Sequence, residues 1–198
     1  MSKTPAPPAD AAPPVAAVRP HTWNEHGRPR VDDYTWLRDD TRSDPEVLAH
    51  LKAENDYADA ILAPTRTLQQ ALFDEMVGRM KPDDDSVPVR KNGYWYFTRF
   101  ETGREYPRVY RRRDAVGAPA ELLLDQDQLA QGHDYYRLGE FAVTPDSATI
   151  AWSEDTVSRR QFTVHLLDIA SGRRHPETLA NTSGEVVWAN DNRTLFYV

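Results

Sequence analysis

The side chains that could carry out catalysis do not form a recognisable set in this sequence. A serine nucleophile of the hydrolase type sits in a Gly-x-Ser-x-Gly turn, and none of the eight serines has these two flanking glycines. No pair among the six histidines has a metal-ligand spacing, and no glycine-rich phosphate loop is present. We therefore predict no catalytic, cofactor-binding or metal-binding residue in this chain, and no cofactor.

Two charged clusters each allow a binding role and a simpler one. Residues 83–85 are three aspartates, but they lack the alternating ligands and the distal glutamate of a calcium loop, so a solvated linker is favoured over a cation site. Residues 111–113 are three arginines, which either bind an acidic partner or end a strand in solvent. The sequence favours the strand end.

The composition excludes several classes of protein and of site. The absence of cysteine rules out a disulfide scaffold, a thiolate zinc site and a cysteine nucleophile. A net charge of −7 argues against a nucleic-acid partner, which requires a basic face. No segment approaches the roughly 20 apolar residues of a membrane helix, and the N-terminus lacks the apolar stretch of a signal peptide. We expect a cytoplasmic protein without a membrane partner.

Two copies of one pattern organise the elements of the C-terminal half. Residues 139–152 read GEFAVTPDSATIAW, residues 184–197 read GEVVWANDNRTLFY, and the two align without a gap. Each copy predicts a strand, a tight turn and a second strand. Self-similarity at a period of about 40–50 residues is typical of four-stranded propeller blades. The alternative is two unrelated hairpins with similar turns, and the shared register favours blades.

Alternating apolar residues extend this prediction to two full blades and part of a third. We place blade 1 at about residues 86–125, blade 2 at about 139–180, and the start of blade 3 at 184–198. The pattern stops after two strands of blade 3, so we expect the chain to be part of a longer protein.

The N-terminal part has a different composition. Residues 1–18 are almost wholly Ala and Pro, which predicts a disordered tail. Residues 19–42 carry Trp23, Tyr34, Trp36 and Leu37 without a clean period. This segment is either an extended arm that buries its rings in another surface or a local mini-core with the helices that follow.

Two amphipathic helices are predicted between this segment and the blades. Ser43 or Asp44 caps the first helix, Pro64 stops it, and the second starts near Thr65 and ends near Gly78. A short turn between them predicts an αα-hairpin, whose apolar stripes must also cover another domain. We place a domain boundary at the charged linker, residues 81–86.

Several stretches together resemble one family of peptidases. These are RVDDYTWLRDD and YTWLRDDTR, LKAEN with Tyr57, NGYWYFTR with Gly103 and Tyr106, LLLDQDQLAQGHDYYRLGEFAVTPD, and SRRQF. The set is similar to the N-terminal region of the prolyl oligopeptidase family of serine peptidases, and closer to its oligopeptidase B (protease II) branch. Arg38 stands where the prolyl-cleaving branch typically has Glu.

The resemblance implies a cytosolic serine oligopeptidase with a seven-bladed propeller and an α/β-hydrolase domain. Such an enzyme cleaves short peptides after Lys or Arg, with its triad and its acidic specificity residues in the hydrolase domain, so no catalytic residue is transferred to this chain. In the family, the N-terminal arm and helices pack on the hydrolase domain, and the propeller gates access to the active site.

Two other functions remain open. A propeller can be a non-enzymatic interaction module, because the fold alone does not determine function. A different peptidase of the same family, such as a dipeptidyl peptidase, is also possible, although the YTWLRDD segment fits it poorly.

Overall fold

The computed structural model describes residues 12–198. The chain divides into two compact units, of which the first ends at Met80 and the second begins at Lys81. Residues 1–11 of the predicted disordered tail lie outside the described residues. Residues 12–18 form neither helix nor strand, but the carbonyl of Ala17 accepts a hydrogen bond from the indole N–H of Trp36 at 2.8 Å. The end of this segment is thus tied to the first unit.

The first unit opens with a β-hairpin that the sequence analysis does not predict. Strands β1 (His21–Glu25) and β2 (Arg28–Asp32) pair antiparallel through a two-residue turn at His26 and Gly27. Both turn residues have positive φ, 52° and 77°, as the favoured hairpin turn requires. The segment predicted to be an extended arm or a local mini-core therefore begins with a regular hairpin.

A network on one carboxylate organises the start of the helical region. After a 3-10 turn, Thr35–Leu37, the side chain of Asp39 accepts hydrogen bonds from the backbone N–H groups of Thr41, Ser43 and Asp44. The Thr41 hydroxyl donates to it as well, and these bonds lower the pKa of Asp39 to about 2. The turn delivers Asp44, whose carboxylate caps the first helix as predicted.

Trp36 packs within its own unit. Its ring lies under the guanidinium of Arg19, 4.6 Å from the ring centroid, and 6.1 Å from the ring of His50 on the first helix. Of the two alternatives for residues 19–42, the local mini-core therefore describes Trp36. Tyr34 remains 47% exposed.

The predicted αα-hairpin is not formed. Helix α1 (Pro45–Leu62) continues through a 3-10 turn, Ala63–Thr65, into helix α2 (Arg66–Arg79). Leu62, Ala63, Thr65 and Arg66 all keep right-handed helical dihedrals, so the chain does not reverse. Pro64 lies in the first turn of the 3-10 segment, where its missing N–H is tolerated. The result is one long helical segment.

The second unit contains the blades. Blade 1 comprises β3 (Asp84–Asp85), β4 (Val89–Lys91), β5 (Tyr94–Phe100), β6 (Arg108–Arg113) and β7 (Ala120–Asp125). Strands β3 and β4 both pair with β5, so they are two pieces of one first strand, interrupted around Pro88. A short helix, α3 (Gln126–Leu129), follows the blade.

Blade 2 and the start of blade 3 repeat this order. Blade 2 comprises β8 (Arg137–Val143), β9 (Thr149–Asp155), β10 (Phe162–Asp168), β11 (Arg173–Arg174) and β12 (Leu179–Thr182). Both β11 and β12 pair with β10 as pieces of one fourth strand. Strands β13 (Val186–Trp188) and β14 (Leu195–Tyr197) form the hairpin of blade 3.

The repeat seen in the sequence corresponds to equivalent positions in successive blades. Ser147 and Asn192, which align in the two copies, both take the left-handed conformation, with φ of 62° and 61°. The backbone N–H of Asp146 donates to the Asn192 side chain, and the Trp188 indole donates to the Ala142 carbonyl. The predicted partial propeller, mainly β behind an N-terminal helical region, is confirmed.

Apolar cores lie between neighbouring blades. Blade 1 contributes Val109, Leu123 and Leu124, which pack on Val143, Ile150 and Trp152 of blade 2. The opposite face of blade 2 packs on blade 3 through Ala151, Val164 and Val186. Because β9 is covered on both faces, Ile150, Ala151 and Trp152 are fully buried.

Arg111 differs from its predicted environment, whereas Arg112 and Arg113 are exposed at the end of β6 as predicted. Arg111 is buried, donates to Glu121 and to the Ser147 carbonyl, and lies over the ring of Tyr94, so it joins blades 1 and 2 instead of ending a strand in solvent. The three aspartates at residues 83–85 are exposed, as a solvated segment predicts, although Asp84 and Asp85 form β3. No helix within residues 12–198 has the length and apolar character that spanning a membrane requires.

Candidate functional site

One end of blade 2 gathers the exposed features that could bind a ligand. We call it the linker end, because residues 81–83 lead into the same end of blade 1. There the first residue of β8, Arg137, pairs with the last of β9, Asp155, and Phe162 of β10 pairs with Thr182 of β12. Antiparallel order therefore places the β9–β10 loop and the start of β8 side by side.

The β9–β10 loop is held by a buried carboxylate. Asp155 is 1% exposed and accepts hydrogen bonds from the backbone N–H groups of Val157 (2.9 Å), Arg159 (3.0 Å) and Arg160 (2.7 Å). Ser158 and Arg160 have positive φ, 58° and 54°, which is uncommon for side chains larger than glycine. Such strain persists only where surrounding contacts impose it, and strained residues cluster at binding sites.

Two glycines of the repeat leave room for the first side chain of β10. A Cβ on Gly139 would lie 2.3 Å from the Ser153 hydroxyl and 2.9 Å from the Phe162 ring. A Cβ on Gly184 would also approach that ring to 2.9 Å. The buried Phe162 ring therefore fills the space between equivalent glycines of blades 2 and 3. The Ser153 hydroxyl donates to the Gly184 carbonyl at 2.6 Å and joins the blades there.

An open cleft of about 460 Å³ lies between blades 2 and 3 at this end. Four charged side chains surround it, and none of them forms an ion pair or a side-chain hydrogen bond with another residue of the described chain. They are Arg137, Glu140, Arg160 and Glu185. The remainder of the lining is the glycine–phenylalanine floor with Leu138 and Ser183. The cleft thus offers two cations and two anions to a ligand.

Other ionisable side chains nearby are paired. Glu154 accepts from the indole of Trp152 at 3.1 Å and lies 3.0 Å from His165 Nε2. Burial acts to raise the pKa of Glu154, but hydrogen bonds from His165 and Trp152 outweigh it and keep the pKa below its usual value. In blade 1, Asp125 binds Arg104 and Arg108. These pairs join strands and loops.

The charged clusters considered from the sequence have structural partners. Asp83 accepts from the backbone N–H and hydroxyl of Thr102, and Asp85 makes two hydrogen bonds with Arg99. Within residues 12–198, His, Asp and Glu side chains form no group of three that could hold a metal. Arg137, Asp155 and Arg160 were not predicted from the sequence, although the repeated Gly-Glu pair marks the other half of the cleft.

Comparisons with known proteins agree on one family. The family model described as "Prolyl oligopeptidase, N-terminal beta-propeller domain" matches residues 13–198. Dipeptidyl aminopeptidase BI of Pseudoxanthomonas mexicana is 43% identical over 206 residues, covering 96% of this chain and 28% of that protein. Protease 2 of Moraxella lacunata is 29% identical, covering 93% of this chain and 27% of that protein.

Solved structures show the same relationship. Oligopeptidase B from Leishmania major superposes with a TM-score of 0.82 at 30% identity, over 95% of this chain and 29% of that chain. Oligopeptidase B from Trypanosoma brucei gives a TM-score of 0.78 at 29% identity, over 94% of this chain and 28% of that one. The chain therefore spans little more than a quarter of the length of these relatives.

Proposed function

We propose that this chain, which belongs to the prolyl oligopeptidase family of peptidases, is the N-terminal part of a serine oligopeptidase. In this proposal the whole enzyme hydrolyses short peptides after Lys or Arg. The match of the family's N-terminal propeller model over residues 13–198 carries the proposal. The similarity to two oligopeptidase B structures, at TM-scores of 0.82 and 0.78, supports this branch.

We assign catalysis to sequence outside this chain. No serine of this sequence lies in a Gly-x-Ser-x-Gly nucleophile turn, whereas relatives named as peptidases are more than three times as long. In this proposal an α/β-hydrolase domain supplies the nucleophile, the base and the oxyanion hole. It also supplies the acidic residues that recognise the basic side chain.

The long helical segment gives this hydrolase domain a surface to cover. Leu68, Leu72, Phe73 and Met76 are 48–60% exposed, and no residue of α2 is buried. Apolar side chains at this spacing share one helix face, which soluble proteins cover by packing. We propose that the face packs on the hydrolase domain, as the family resemblance implies.

The propeller would act as a gate that admits only thin peptides. Met80 has extended dihedrals directly after α2, and Asp83 is fixed to Thr102. Between them, Lys81 forms an exposed ion pair with Asp84 at 3.4 Å, which is of the weak surface kind. We therefore place one hinge of domain opening at residues 80–82. This hinge is shorter than the linker of residues 81–86 that the sequence suggests.

A second candidate is a peptidase that removes dipeptides from free N-termini. It is favoured by the 43% identity to the relative named dipeptidyl aminopeptidase BI. The YTWLRDD segment fits this candidate poorly, but it does not separate the two, because Asp39 and Trp36 have structural roles in the first unit. The third candidate, a non-enzymatic propeller, predicts no hydrolysis at all.

Hydrolysis by the whole protein distinguishes the candidates. We expect cleavage of an N-blocked Arg-Arg chromogenic amide and complete loss of activity after treatment with a fluorophosphonate, which reacts with activated serines. Cleavage of only the unblocked Arg-Arg amide would support the dipeptidyl aminopeptidase. Absence of hydrolysis, or hydrolysis insensitive to the reagent, would refute a serine peptidase.

A further inference from the structure

The cleft between blades 2 and 3 combines charges that are not used to hold the fold. Arg137 and Glu140 lie on β8, Arg160 on the β9–β10 loop, and Glu185 directly before β13. Most other charged side chains at this end have partners at hydrogen-bond distance, such as Arg104 with Asp127 at 2.7 Å. These four charged side chains can therefore form ion pairs and hydrogen bonds with a ligand.

The cleft is also rigidly built. The backbone of Arg160 is fixed at the rim by the buried Asp155 carboxylate, although the Arg160 side chain itself is exposed. The floor is fixed because the Phe162 ring is enclosed by Gly139 and Gly184. A site that needs little ordering on binding keeps more of its interaction energy as affinity.

The mixture of charges restricts the ligand. An anion alone would be repelled by Glu140 and Glu185, and a cation alone by Arg137 and Arg160. A ligand with a carboxylate and an ammonium group satisfies both pairs. The cleft volume, about 460 Å³, lies within the range of roughly 300–1,000 Å³ of small-molecule sites.

We propose that this cleft binds the charged termini of a short peptide, its carboxylate at Arg137 and Arg160 and its ammonium at Glu140 and Glu185. The choice of a peptide rests on the proposed function. The site would favour peptides short enough to place both termini in one cleft, and an extended residue adds about 3.3–3.6 Å between them.

The probe for the test is trialanine with free termini, together with its N-acetylated and C-amidated forms. These peptides contain no Lys or Arg, so binding is separated from the proposed cleavage. Binding to the 198-residue chain is followed by NMR shifts of the backbone amides of Gly139, Arg160 and Gly184. We expect saturable shifts with free trialanine and a Kd about three- to tenfold weaker after either block, since each block removes one charged group of the peptide.

Two double variants assign the contacts. Glu140→Gln with Glu185→Gln should abolish the effect of acetylation and keep that of amidation, and Arg137→Gln with Arg160→Gln should do the reverse. Glu177→Gln and Arg112→Gln, exposed charges elsewhere in the unit, are the controls and should behave as the parent. Absence of saturable shifts, equal Kd for free and blocked peptides, or cleft variants that match the controls would overturn the proposal.

Failure of this proposal is distinguishable from failure of the proposed function. Loss of trialanine binding with intact hydrolysis of the blocked Arg-Arg amide would remove the cleft as a peptide site and leave the peptidase. Specific trialanine binding without hydrolysis would support the cleft and remove the peptidase.

Discussion

Positions 139 and 184 require glycine, because a Cβ at either position would lie 2.9 Å from the ring of Phe162. We predict that Gly184→Ala lowers the free energy of unfolding of the blade unit by about 1–3 kcal/mol, the usual cost of overpacking, in addition to the strain of an alanine at φ +96°. Gly132→Ala is the matched control, since Gly132 has φ +83° and open space around its Cβ position. Urea denaturation compares the two.

The double variant with Phe162→Leu separates the clash from the backbone strain. A smaller side chain should recover part of the loss caused by Gly184→Ala, which would appear as a coupling energy between the two positions. Equal destabilisation by Gly184→Ala and Gly132→Ala, without coupling to Phe162, would show that the Phe162 ring is not the reason why position 184 requires glycine.

Asp155 controls the loop that carries Arg160. Replacing its buried carboxylate by the amide of Asn removes a charged acceptor of three backbone N–H groups, and hydrogen bonds to charged groups contribute about 1.5–3 kcal/mol. We expect Asp155→Asn to speed amide exchange at residues 157–160 at least tenfold. Asp168→Asn, which alters the exposed turn at Ser171, should leave these amides unchanged. Unaltered exchange in Asp155→Asn would mean that other contacts hold the loop.

Asp39 should make the N-terminal turn sensitive to strong acid. Its pKa is lowered to about 2 by the Thr41 hydroxyl and by backbone N–H groups, so its contribution to stability is complete above the ordinary value near 4 and is lost as the pH falls through about 2. Amide protection of Ser43 and Asp44 should therefore persist at pH 3 and disappear below pH 2. In Asp39→Asn it should be weak at every pH, and a carboxyl titration midpoint near 4 would contradict the prediction.

At the scale of elements, local patterns predicted the strands better than the helical region. The repeated turn at Ser147 and Asn192 marks equivalent positions of two blades, and the consecutive buried residues Ile150, Ala151 and Trp152 belong to a strand that is covered on both faces. The hairpin of helices was inferred from Pro64, but a proline near the start of a 3-10 turn does not reverse the chain. The sequence indicates only half of the cleft. An arginine does not by its residue type indicate a left-handed backbone, and an aspartate at the end of a strand does not indicate a buried acceptor for a loop.

The continuous helical segment can be measured directly, because the chain has no cysteine to interfere with labelling. Spin labels at Lys52→Cys and Glu75→Cys should lie about 35 Å apart, at a rise of about 1.5 Å per residue. Both positions are exposed, and their ion pairs with Asp56 and Arg79 are of the weak helix-surface kind. A distance of roughly 10–15 Å would indicate that the two helices form the hairpin predicted from the sequence.

At the scale of the whole molecule, the apolar face of α2 should have opposite effects in the chain and in the full-length protein. Leu72, Phe73 and Met76 are exposed here, so serine at all three positions should reduce binding of the dye ANS and aggregation of the 198-residue chain. In a full-length peptidase the same side chains would be buried on the hydrolase domain, and burial of each contributes about 1.5–3 kcal/mol. The triple variant should then lower the melting temperature and activity of the full-length protein.

Gln70→Ser with Asp74→Ser, on the opposite face of the helix, provides the control for lost helix propensity. These changes should affect the chain and the full-length protein to the same small extent. The sign of the effect decides the prediction, because improved behaviour of both proteins after the triple substitution would show that the face stays exposed. In that case the hydrolase domain would pack elsewhere, and the long helical segment would need another partner.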